Sequence, residues 1–184
     1  MVPDAEPMGR MFTPLQCWRM TCQSGHYATP TNGIDEDLKV LTKEYPDHHD
    51  ATIILQLYDL RREAVMRESR AAIYSRFRPQ NAEEAVAVVK QDHPLNSALR
   101  QVVGYWEMVY GMMKWGILHP AFALESTGEG MVLYAKMEPY LAQVRDQKTG
   151  VQFNNAEWVA TQTEAGKKLM ERLRPRYAPA ASKS

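Results

Sequence analysis

The sequence predicts an all-α fold, a single-domain helical bundle, on three observations. Apolar residues recur at spacings of three, four and seven along most of the chain. Helix-start signals precede those runs, and no stretch alternates apolar and polar residues for the length of a strand. With 184 residues the chain is long enough for one domain with its own core, placed at 13–175. Residues 1–12 and 176–184 are read as flexible termini, because both are rich in Pro, Ala and polar residues and lack periodicity.

Thr13 and Pro14 open a first short helix with Leu15, Trp18 and Cys22 on one face, ended by Gly25. Asp35 caps a second, presenting Leu38, Leu41 and Tyr45 until Pro46 stops it. Asp47 with Asp50 makes a capping-box arrangement ahead of the best-marked segment, in which no Gly or Pro occurs before Pro79. Ile53, Leu57, Leu60, Ala64 and Ala71 share helical spacing there, so one long helix is expected over about 48–78, roughly 45 Å at 1.5 Å per residue. Asn81 with Glu83 and Glu84 starts the next helix, with Val86 and Val89 on its apolar face. Pro94 sets up a buried central helix over about 95–118. A helix from Glu129 to Gln147 should be kinked by Pro139, which removes one hydrogen bond and crowds the preceding turn. Asn154 with Glu157 gives a capping box for a final helix carrying Trp158, Ala165, Leu169 and Leu173.

The central helix is apolar on most of its circumference. Leu99, Val102, Val103, Trp106, Val109, Tyr110, Met113 and Ile117 form a broad core face. Tyr105, Met108, Met112 and Trp115 form a second sector, where flexible methionines beside aromatics suit a surface that fits another chain. Those four are candidate interaction residues, with a dimer interface or a peptide groove as the role. Arg100, Glu107 and Lys114 fill the remaining strip beside Gly104 and Gly111, whose missing side chains should let another helix approach.

Lys plus Arg and Asp plus Glu both number 22, so no overall positive field argues for nucleic acid. No apolar run approaches the roughly 20 residues that span a bilayer. Two cysteines and an N-terminus without signal-peptide character point to the cytoplasm. Cys17, Cys22 and His26, with His48 or His49, are the candidate metal ligands, although their spacing departs from the usual zinc pairs. Adjacent helical residues diverge by about 100°, so His48 and His49 do not form a ligand site by themselves. Six arginines against two glutamates between 61 and 78 are the strongest polar signal, and Arg61, Arg62, Arg67 and Arg70 are the candidates for contacting an anion. A Glu63–Arg67 pair and the lack of interleaved aromatics favour a salt-bridged, solvated helix, with an acidic protein surface as partner ahead of nucleic acid. No HExxH, GxSxG, P-loop or GxGxxG occurs, so no catalytic residue and no cofactor are assigned.

The segments LRQVVGYWEMVYGMMKWGILHPAFALES and YAKMEPYLAQVRDQ resemble a bacterial family of helical domains of unknown function, over roughly residues 50–160. Members of that family often carry transmembrane helices ahead of the soluble part; this chain shows none. The resemblance implies a helical fold and supplies no activity. The leading expectation is a non-enzymatic interaction or scaffold domain that self-associates as a homodimer. A metal-binding protein or metal-dependent enzyme built on the Cys and His candidates, and an anion-binding module built on the arginines, are the alternatives.

Overall fold

The computed structural model describes residues 43–178. Among them the structure is helical throughout, as α1 (His48–Arg62), α2 (Ala64–Arg76), α3 (Ala82–Val89), α4 (Asn96–Lys114), α5 (Pro120–Ser126), α6 (Glu129–Met137), a 3-10 turn (Glu138–Tyr140), α7 (Leu141–Asp146), α8 (Asn154–Gln162) and α9 (Glu164–Tyr177). The all-α reading therefore holds. The first two expected helices lie outside the described residues, except that the end of the second, around Tyr45, is not helical.

The capping box at Asp47 is present: its side chain accepts from the His49 and Asp50 amides, and the Asp50 carboxylate accepts from the Asp47 amide. Asp50 is fully buried and also accepts from the His119 amide at 2.8 Å, which ties the start of α1 to the start of α5. The expected long helix over 48–78 needs correction. It breaks at Glu63, whose backbone is extended at φ −54° and ψ 140°, and α2 ends at Arg76. Neither Gly nor Pro stands there, so the reason is tertiary rather than local. On one continuous helix Arg61 and Arg70, nine residues apart at about 100° each, would face opposite sides. Across the break both reach the same carboxylate, that of Glu129.

Asn81 caps α3 through the Glu84 amide, as its position implies. Helix α4 runs through the middle, with α2 packed on one side and α8 on another. Leu99, Val102, Val103, Trp106, Val109, Tyr110 and Met113 are buried along it. Ile117, expected on that face, lies past the helix end and is 50 % exposed, because Gly116 at φ 67° has already turned the chain. Pro139 interrupts the next helix as expected, replacing it by α6, the 3-10 turn and α7.

The final helix is also corrected, since Thr163 divides it into α8 and α9 and caps the second through the Gly166 amide. Asn154 does not cap α8. Phe153 occupies the cap position in a left-handed conformation, and the Glu107 carboxylate of α4 supplies the acceptors, taking the Asn155 and Ala156 amides at 2.9 and 2.8 Å. A carboxylate at a helix N-terminus satisfies free N–H groups and complements the dipole. The polar strip on α4 thus serves packing between helices. Arg100, on the same strip, donates to the Asn96 side chain and the Thr149 carbonyl.

Only one of the two strip glycines admits a neighbour. A β-carbon at Gly111 would stand 3.1 Å from Asn155 Nδ2, the amide that donates to the Glu107 carbonyl, whereas one at Gly104 would meet nothing within 4 Å.

Candidate functional site

Where α1, α2 and α4 meet the start of α6, a polar cluster is set into aromatic surroundings. Arg70 grips Glu129 in fork geometry, with Nε 2.9 Å from Oε1 and Nη2 2.7 Å from Oε2. Arg61 donates to Glu129 Oε2 and, at 3.2 Å, to the Thr127 hydroxyl. Its guanidinium carbon lies 4.9 Å from the Tyr58 ring and 5.6 Å from the Trp106 ring, within cation–π range of both. The Tyr58 hydroxyl donates to the Ser126 carbonyl and the Tyr74 hydroxyl to the Glu129 carbonyl, so both helices also hold the backbone of the α5–α6 connection.

This cluster is packed tightly. A β-carbon at Gly130 would fall 2.3 Å from the Tyr110 hydroxyl and 2.4 Å from Trp106 Cδ2, so only glycine lets α6 seat on these two rings. Burial pushes the phenols of Tyr74 and Tyr110 upward, helped at Tyr74 by the Glu129 charge, and pushes Tyr105 up to about 12 against the opposing pull of Arg61 and Arg70. All three are neutral hydroxyls at physiological pH. The Trp106 indole N–H, Arg61 Nε and the Tyr110 hydroxyl have no hydrogen-bond partner among the described residues.

The arginines named as anion contacts therefore divide. Arg61 and Arg70 are engaged with Glu129 and are mostly buried, at side-chain exposures of 13 % and 23 %. Arg62 is exposed beside Asp59 at 3.7 Å, and Arg67 is exposed without the expected Glu63 ion pair, because the chain leaves helical geometry at Glu63. Sequence reasoning missed Glu129. It lies 59 residues from Arg70 and 68 from Arg61, so no local spacing connects them, and its only sequence mark is a helix-start position.

The second apolar sector of α4 divides as well. Tyr105 is buried and its hydroxyl donates to the Leu57 carbonyl at 2.8 Å. Met112 is partly buried, while Met108 and Trp115 are 47 % and 59 % exposed. Met108 lines an open groove of about 320 Å³ together with Leu60, Met66, Tyr105 and Gly104, with Glu63, Arg100 and Gln101 also on its walls. Leu60 is exposed as well, as are Leu55 and Val65 on the same pair of helices.

Of the metal candidates, Cys17, Cys22 and His26 lie outside the described residues. His48 and His49 are exposed at the start of α1 with their rings stacked, centroids 4.7 Å apart. Among the described residues no group of three His, Cys, Asp or Glu side chains is arranged to hold a metal, and no helix is long and apolar enough to cross a membrane.

No curated protein and no solved structure matches the chain. A family model does, over residues 46–163, which contains α1 through α8 and with them Glu129 and both of its arginines. By that match the chain belongs to the family described as a domain of unknown function, DUF4760.

Proposed function

We propose that this is a non-catalytic helical interaction domain that self-associates, as a homodimer, through the exposed apolar edge formed by α1 and α4. The observation that carries the proposal is the groove between Leu60 and Met108, continued by the partly buried Met112 on α4 and by Trp115 at its C-cap. Met108 and Trp115 are seven residues apart, about 20° from eclipsed on an α-helix, so they belong to one stripe. Methionine and tryptophan together give a contact surface with large apolar area and adaptable shape. Beneath the stripe, the Arg61–Glu129–Arg70 cluster and the Tyr105 hydroxyl hold α1, α2 and α4 in fixed relation, which presents the edge as a rigid face. A bacterial cytoplasm accords with the two-cysteine composition and with the family resemblance.

Sedimentation velocity on the full chain at micromolar concentration tests the proposal, with Met108→Glu/Trp115→Glu as the variant. Both side chains are exposed, so the variant should fold as wild type does, and dimer should give way to monomer. A wild-type chain that sediments as a monomer up to about 100 μM refutes self-association; Kd values above that correspond to less than about 5.5 kcal/mol of binding.

A further inference from the structure

Lys136, near the end of α6, is 5 % exposed. Its ammonium donates to the Phe77 carbonyl at 2.8 Å, and the Tyr74 and Tyr177 rings lie 5.7 and 5.9 Å away. An ammonium has three N–H donors, and ring faces attract the charge without accepting a conventional hydrogen bond. No carboxylate among the described residues pairs with it. Burial, and after that the positive charge of Arg78, push its pKa below the ordinary lysine value.

Lys136 lines a cavity of about 230 Å³ together with Arg78, Gln80, Arg176 and Tyr177. Three cations thus border one concavity that, among the described residues, no acidic residue lines. The nearby acids are engaged elsewhere: Glu84 accepts from the Gln80 amide and the Asn81 side chain, and Glu138 takes the Arg174 fork at 2.9 and 3.0 Å. Arg78 and Arg176 are exposed and make no ion pair among the described residues. A buried cation beside a second positive charge is unfavourable unless an anion compensates it. The cavity is several times the roughly 30 Å³ share of a water molecule and below the roughly 300–1,000 Å³ of sites for drug-sized ligands, which suits a single phosphate group.

We infer that this pocket binds a phosphate group, with Lys136 as the point charge at its base and Arg78 and Arg176 as guanidinium forks at its mouth. The site is formed by the α2–α3 connection, the end of α6 and the end of α9, away from the α1–α4 edge. It is therefore independent of self-association.

The test is titration of the full chain with inorganic phosphate at constant ionic strength, chloride serving as the matched control. Binding is followed by melting temperature and by NMR amide shifts around Phe77, Arg78 and Tyr177. Saturable binding on the order of millimolar or tighter is expected, lost at least tenfold in Arg78→Gln/Arg176→Gln, which alters exposed side chains only, and in Lys136→Met. A parallel titration with glycerol 3-phosphate separates the sources. Tighter binding of the ester assigns the pocket to a phosphorylated small molecule, and equal or weaker binding assigns it to free phosphate. The inference is overturned by a response that does not saturate, by chloride acting as phosphate does, or by undiminished binding in Arg78→Gln/Arg176→Gln.

Discussion

Replacing Glu129 by alanine removes the one carboxylate that two mostly buried arginines share. Arg61, Arg70 and Glu129 have side-chain exposures of 13 %, 23 % and 20 %. Breaking a fully buried ion pair by deleting one partner costs about 3–5 kcal/mol, because the remaining charge is left uncompensated. Here water can still reach part of both guanidinium groups, which lowers the expected loss to about 2–4 kcal/mol. Glu129→Gln keeps one acceptor oxygen for Arg70 and should lose about 1–2 kcal/mol. Urea unfolding followed by circular dichroism, with tryptophan fluorescence as a second probe, measures both. In a chain of this size the alanine variant should melt roughly 5–15 °C lower. A double-mutant cycle with Arg70→Ala should return a coupling above about 1 kcal/mol. If Glu129→Ala loses less than about 0.5 kcal/mol, the cluster behaves as a surface ion pair and does not explain the break at Glu63.

Two glycines should respond with opposite sign: Gly104→Ala, in open space on a helix, is expected to stabilise by up to about 1 kcal/mol, and Gly130→Ala to destabilise by about 1–3 kcal/mol or more as its β-carbon meets Tyr110 and Trp106, both read by thermal unfolding. Glu107→Ala should cost about 1–2 kcal/mol by uncapping α8, with faster amide exchange at Asn155 and Ala156 as its local signature. Hydrogen bonds, chiefly from the Asp50 amide, hold the Asp47 carboxyl below its usual pKa, so the stability it contributes is complete above the unfolded value of about 4 and is lost as pH falls through the lower folded value. Asp47→Asn, which keeps a capping oxygen but does not titrate, should flatten that acid limb in a pH series of unfolding midpoints.

The helix-forming character of the chain, the capping box at Asp47, the cap at Asn81, the interruption at Pro139 and the buried face of α4 were all legible in the sequence, because each depends on residues within one or two turns of each other. Which parts of α4 stay exposed was not. Tyr105 and Met108 belong to one apolar sector, about 60° apart on the wheel, yet one is buried against α1 and the other borders an open groove. The break at Glu63 and the cap of α8 by Glu107 also escaped the sequence reading. In both cases the deciding carboxylate lies 48 to 68 residues from the groups it satisfies. The same holds for Lys136, which periodicity places on an ordinary helix and only the meeting of two helix ends with the α2–α3 connection places beside Arg78 and Arg176. Periodicity and capping report what a segment can do by itself, whereas a buried charge takes its meaning from the groups that the fold brings within a few ångströms of it.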